Sequence, residues 1–244
     1  MASKAHAGSV EERVLASIER SPVLAEPFAH CVVDGVFPAD FYEELLDRWP
    51  GEESWRPIGE TGRVKGGQDS QRMIIRLGED LERLDHGLAA FWKALTLWLG
   101  SEAFRGAILG KFANELSQSG FGAELRNTAA ELLLISDRTH YAIGPHTDHP
   151  QRVASLLFYL PEDNTFRRFG TSFYAPVDPA FRCRGGPHHA FERFRPAGTV
   201  EFVPNRLVMF PKSDRCFHGV EPVDLPGIDR RLLIYNLART RAAA

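Results

Sequence analysis

Apolar positions recur at helical spacing through the first half of this chain and at strand spacing through the second. Val14, Leu15 and Ile18 form one stripe ahead of Pro22, and Ser9-Val10-Glu11-Glu12 reads as the capping box that would open this helix. Residues 28–36 read as a short strand. Pro38 then starts a second helix, with Phe41, Tyr42, Leu45, Leu46 and Trp49 at helical intervals as far as Pro50. From Gly51 to Gln71 the chain is polar, glycine-rich and without period, which predicts a surface loop able to act as a lid. After the short apolar run Met73-Ile74-Ile75, residues 80–99 carry Leu81, Leu84, Leu88, Phe91, Leu95 and Leu99 at intervals of three and four, a strong helix pattern. Gly100 ends it and Ser101 can cap the next, in which Phe104, Ile108, Phe112 and Leu116 share a face.

Beyond a loop at 117–123 the period changes. Apolar runs beginning at 132 and then at 139–146, 152–160, 170–175, 198–203, 206–211, 216–223 and 230–238 are separated by turn residues. Eight such strands after a helical half predict a mainly β protein with a jelly-roll core, two facing sheets supported by N-terminal helices. A chain of 244 residues can form one domain of this kind, with 1–125 as mainly helical support and 126–240 as the jelly roll. One connection, 176–196, is too long for a plain turn and is rich in Arg, His and aromatic residues, as functional loops often are.

Composition narrows the function classes. A formal net charge of −3 gives no basic footprint, so nucleic acid is not an expected partner. Cys31, Cys183 and Cys216 are odd in number and widely spaced, which fits a reducing compartment rather than a disulfide framework. With no apolar leader and no run of membrane-spanning length, the expectation is a cytoplasmic protein with no membrane partner.

The candidate chemistry lies in the second half. His146 and Asp148, two residues apart, would share one face of an extended strand and could chelate a divalent metal through one nitrogen and one oxygen. A third ligand is needed, and His218 in Arg215-Cys216-Phe217-His218-Gly219-Val220-Glu221 offers it. Two His and one carboxylate on one side of a metal leave the opposite positions open, the facial arrangement of non-heme Fe(II) oxygenases. Arg230 and Arg231 then open the apolar run Leu232-Leu233-Ile234-Tyr235-Asn236-Leu237, which reads as a buried strand.

Residues 131–238, taken as this ordered set, resemble the Fe(II)/2-oxoglutarate-dependent oxygenase superfamily, and the prolyl-hydroxylase-like branch within it. The resemblance implies that His146, Asp148 and His218 bind Fe(II), that 2-oxoglutarate and O2 take the open positions, and that ascorbate can stimulate turnover. It also implies hydroxylation of a C–H bond with release of succinate and CO2. Halogenating relatives lack the carboxylate ligand, and Asp148 is present. The distal carboxylate of 2-oxoglutarate needs a fixed cation, a role that arginine's planar fork suits. Arg230 and Arg231 compete for it, because neighbours on a strand face opposite sides and neither register buries only apolar partners. The family's spacing of apolar residues after its arginine favours Arg230, through Leu233 and Tyr235. Tyr141 could reach the co-substrate or serve as a core tyrosine.

The remaining polar residues have simpler readings. Thr147 points away from the ligands, His149 sits in a turn, and His188 and His189 lie in the long loop. His140 reads as a core histidine, and Arg167, Arg168, Arg182 and Arg184 as solvated loop charges. The loops at 51–71 and 176–196 favour a small-molecule substrate such as an amino acid, a sugar or a natural-product intermediate over a polypeptide. The rival readings are a protein side-chain hydroxylase, a cupin-type metal enzyme, and a jelly-roll domain with a vestigial metal site. Nothing in the sequence sets the oligomeric state.

Overall fold

The computed structural model describes residues 3–62, 71–119, 125 and 127–240. Among the described residues five α-helices, α1 (Ser3–Arg20), α2 (Ala39–Asp47), α3 (His86–Leu99), α4 (Glu102–Lys111) and α5 (Ala113–Gln118), all lie in the first half. That half also supplies three strands, β1 (Cys31–Asp34), β2 (Arg56–Pro57) and β3 (Arg72–Arg76). The second half supplies β4 (Thr128–Asp137), β5 (Ile143–His146), β6 (Arg152–Tyr159), β7 (Thr171–Pro176), β8 (Phe194–Val200), β9 (Arg206–Pro211), β10 (His218–Val220) and β11 (Arg230–Arg239).

The strands form two antiparallel sheets. The larger runs β1-β9-β6-β11-β4-β3-β2 and the smaller β5-β10-β7-β8. Both faces of the larger sheet are covered, which is why β11 reads as a continuous apolar run rather than an alternating one. Its outer face carries Leu134, Leu156, Phe158, Leu233 and Tyr235, which pack with Trp92, Leu99, Phe104, Ile108 and Phe112 of the helices. Each such side chain, fully removed from water, contributes on the order of 2 kcal/mol. The inner face turns Leu133, Ile135, Tyr159, Leu232 and Ile234 toward Phe173 of the smaller sheet. Strand alternation therefore places even-numbered residues of β11 between the sheets and odd-numbered ones under the helices.

Several expected boundaries move for identifiable reasons. The first helix begins at Ser3, so Ser9 lies inside it rather than at its cap. The strand expected over 28–36 is limited to Cys31–Asp34, where it pairs with β9. The helix expected from Asp80 begins at His86, because the Asp85 carboxylate accepts from the Gly87 and Leu88 amides. Asp80 instead accepts from the guanidinium groups of Arg56 and Arg76 and from the Arg76 amide. The last helical stretch breaks at Phe112 into α4 and α5, while Ser101 caps α4 as expected, at 3.2 Å from the Phe104 amide.

The segment expected to be a loop over 51–71 is partly ordered. It forms a short 3-10 turn at Glu52–Ser54, β2, and a second turn at Ile58–Thr61; residues 63–70 lie outside the described residues. In the second half all eight expected strands are present. That expected over 139–146 shortens to 143–146, that over 216–223 to 218–220, and that over 198–203 shifts back to 194–200 to pair with β7.

Candidate metal centre

The two histidines come from adjacent strands of the smaller sheet. His146 at the end of β5 is the cross-strand partner of His218 on β10, and their rings lie 4.4 Å apart. That approach requires Gly219, because a side chain there would strike the Ile143 carbonyl of β5. Asp148 follows just beyond β5, with Oδ1 3.9 Å from His218 Nε2. One ligand atom from each of the three residues lies within 4.8 Å of the others, and among the described residues this is the one such cluster.

The hydrogen bonds behind the cluster decide which atoms face its centre. His146 Nδ1 donates to the Gly144 carbonyl at 3.0 Å and His218 Nδ1 to the Cys216 carbonyl at 2.9 Å. A carbonyl can only accept, so both rings carry their proton on Nδ1 and present the Nε2 lone pair. Asp148 Oδ2 accepts from Ser155 Oγ at 2.7 Å. Two imidazole nitrogens and one carboxylate oxygen, all held from behind, suit a divalent first-row metal with open positions.

Electrostatics keeps His146 and Asp148 in ligating form. Burial, with the His218 and His188 rings nearby, holds the His146 pKa well below its usual range despite the neighbouring Asp148. Burial alone would raise the Asp148 pKa, but His218, Arg152, His146 and the Ser155 hydroxyl outweigh it and hold the carboxyl well below its usual range.

The cluster opens into a cavity of about 170 Å³ between the sheets. Its walls include Leu133, Ile135, Leu157, Leu232 and Ile234, with Arg72, Arg152 and Arg230 among the polar lining. Arg230 is 1% exposed; its Nε donates to the Phe169 carbonyl at 2.6 Å and its Nη1 to Asp137 Oδ2 at 2.7 Å. Arg231 faces the other way, pairing with Asp229 and Glu162 at 2.6 and 2.8 Å and lying 5.7 Å from the Trp49 ring. Of the two arginines, only Arg230 lines the cavity.

Tyr141 is not among the lining residues. It is 2% exposed in a small cluster with Phe169, Val220, Val223 and Ile228, and the Arg72 guanidinium sits 4.3 Å from its ring. Thr147, also buried, donates to the Cys183 carbonyl at 2.8 Å. His149 is exposed in a turn, with Nδ1 accepting from the Gln151 amide at 3.3 Å. His140, expected in the core, is exposed, and its positive φ of 71° marks a tight turn rather than strand.

The long loop, residues 177–193, runs beside the site. The His188 ring lies 4.7 Å from that of His146, and His189 packs against Phe181, Phe194 and Phe217. Gly185, at φ 122°, lets the loop approach the Asp148 carbonyl where a side chain would collide. Arg167 and Arg168 pair with Glu201 and Asp224 on the surface. Sequence reasoning missed Arg72, Asp137, Ser155 and Arg152. Each is an isolated polar residue in or beside a strand, and only strand register shows what it faces.

No family model and no curated relative matches the sequence. Solved structures do match. A prolyl-4-hydroxylase from Pseudomonas putida aligns over 93% of this chain and 100% of its own at TM-score 0.53 and 17% identity. A prolyl 4-hydroxylase from Phytophthora capsici aligns over 94% of this chain at 0.50 and 18% identity, and this chain spans 65% of its length. A 2OG-Fe(II) oxygenase family oxidoreductase from Burkholderia pseudomallei aligns over 96% of this chain and 92% of its own at 0.50 and 14% identity. The fold is thus the double-stranded β-helix, the same fold as these solved oxygenase structures. Among the described residues no helix is long and apolar enough to cross a membrane.

Proposed function

We propose that the protein is an Fe(II)- and 2-oxoglutarate-dependent oxygenase that hydroxylates a C–H bond of a small molecule. The observation that carries this reading is one cavity holding both the His146, Asp148 and His218 cluster and a buried arginine, Arg230. The three residues would hold the metal through Nε2, a carboxylate oxygen and Nε2, and the Arg230 guanidinium would bind the distal carboxylate of 2-oxoglutarate. Fe(II) at this position supplies O2 activation coupled to oxidation of the co-substrate. The balance is substrate C–H, O2 and 2-oxoglutarate going to C–OH, succinate and CO2.

The chain's own residues bind and orient. Ser155 fixes the Asp148 carboxylate, the two backbone carbonyls fix the imidazoles, and Asp137 with the Phe169 carbonyl fixes Arg230. The Leu and Ile walls lower the local dielectric, which would strengthen an arginine–carboxylate attraction. The 177–193 loop beside His146 and the turn bearing Ile58, which lines the cavity, favour a small substrate over a polypeptide. Against that, two of the matched structures are prolyl hydroxylases, which keeps a peptidyl substrate as the second reading.

The test is a screen for succinate released above the substrate-free background, with ascorbate present. Panels of amino acids, sugars and natural-product scaffolds are set against proline-containing peptides. Stimulation by a small molecule supports the first reading, and stimulation by peptides alone moves the assignment to the second.

A further inference from the structure

Arg230 does not stand alone at its end of the cavity. Asp137 on β4 is the cross-strand partner of Arg230 on β11 and also of Arg72 on β3, so one buried carboxylate lies between two guanidinium groups on neighbouring strands. Cross-strand neighbours are close enough for direct side-chain contact. The contacts are unequal. Arg72 grips both oxygens, Nε to Oδ1 at 2.6 Å and Nη2 to Oδ2 at 2.9 Å, while Arg230 takes Oδ2 through Nη1 alone, at 2.7 Å. Asp137 is fully buried, and both arginines line the cavity.

A lone Arg230–Asp137 pair would be close to neutral and would attract a further carboxylate weakly. With Arg72 bidentate on the same carboxylate, the charge of Asp137 is shared and Arg230 is only partly neutralised. Asp137 and the Phe169 carbonyl still hold its plane in one orientation. Among the described residues Arg230 Nη2 makes no hydrogen bond, leaving a donor for a ligand.

We infer that Arg72, acting through Asp137, is a positioning residue for the co-substrate. By drawing on the Asp137 charge it keeps Arg230 cationic toward the distal carboxylate of 2-oxoglutarate. The inference rests on the oxygenase reading above.

The test measures keto-acid binding to the Mn(II)-loaded protein under argon by calorimetry, using 2-oxoglutarate and pyruvate, which lacks the distal carboxylate. Arg72→Gln is expected to weaken 2-oxoglutarate about tenfold or more, the scale of one charge-assisted hydrogen bond, and to leave pyruvate unchanged. The double variant Arg72→Gln with Asp137→Asn removes the now unshared carboxylate and is expected to recover most of the affinity, which a merely structural role for Arg72 would not produce. Arg72→Lys keeps the charge and is expected to stay within a few-fold of wild type; it carries the test if Arg72→Gln fails to fold.

Unchanged 2-oxoglutarate binding in Arg72→Gln, an equal loss for both keto acids, or no recovery in the double variant overturns the inference. If only Arg72→Lys folds, a tenfold loss in that variant does the same. A wild-type protein that binds pyruvate and 2-oxoglutarate equally also overturns it, while one that binds neither removes the oxygenase reading first and this inference with it.

Discussion

Ser155 on β6 donates a 2.7 Å hydrogen bond to Asp148 Oδ2, tying the carboxylate of the candidate metal centre to the larger sheet while its two imidazoles come from the smaller one. The centre therefore depends on both sheets keeping their spacing. Outer hydrogen bonds of this kind orient ligands, and their loss typically costs 10–100-fold in metal affinity. Ser155→Ala is expected to weaken Mn(II) binding by about tenfold while leaving the melting temperature of the metal-free protein nearly unchanged. Paramagnetic resonance of free Mn(II) reads the affinity, and wild-type affinity in the variant would show that Asp148 needs no such support.

The two arginines at the start of β11 separate cleanly. Arg230→Ala is expected to weaken 2-oxoglutarate by about tenfold or more, since it removes a charge-assisted contact at a buried arginine. Arg231→Ala, which loses Asp229 and Glu162 on the opposite face, is expected to change it by less than about threefold. Calorimetric titration of both variants checks the pair, and the reverse order would move the role to Arg231.

Asp80 links stability to pH. Burial opposes its ionisation, but the Arg76 amide and guanidinium, with Arg56, outweigh this and lower its pKa. A carboxyl with a lowered folded pKa contributes stability that is fully present above the unfolded value, near 4, and is lost as pH falls through the folded one. Asp80→Asn is thus expected to lower stability at pH 7 by about 1–3 kcal/mol, with the gap to wild type closing below about pH 4. Denaturant melts at several pH values read this, and a gap independent of pH would remove the carboxylate from the explanation.

Tyr235 is fully buried on the helix-facing side of β11, 5.3 Å from the Phe104 ring, with its hydroxyl lacking a hydrogen-bond partner among the described residues. Burial pushes its pKa up to about 12. Removing an unsatisfied hydroxyl while keeping the ring relieves a desolvation cost of about 1 kcal/mol or more. Tyr235→Phe is expected to raise the melting temperature or leave it level, and Tyr235→Ala to destabilise by about 3–5 kcal/mol. A clear loss of stability in the Phe variant would mean that the hydroxyl is satisfied in solution.

The strand count of the second half was legible because short apolar runs between turn residues report sheet directly. The His146, Asp148 and His218 set was legible because ligand types at family spacing stand out even without register. The choice between Arg230 and Arg231 was not, because β11 is covered on both faces and its alternation is apolar on each side. Asp137 and Arg72 were invisible for a related reason: they come from distant segments, and only the pairing of β3 and β11 with β4 makes them neighbours. Helix α3 began later than its periodicity implied, since Leu81 and Leu84 fit a 3-10 turn as well as an α-helix and the Asp85 cap set the boundary.

The central claim is tested most directly by anaerobic titration of the metal-free protein with Fe(II) and then 2-oxoglutarate, following the weak visible charge-transfer band of a bidentate keto-acid complex. The expected result is a band that saturates with the co-substrate in the wild-type protein and is absent in His218→Ala. No band in the wild type, with Fe(II) and 2-oxoglutarate both in excess, would contradict the oxygenase assignment and leave the cluster as a site for a different metal or for none.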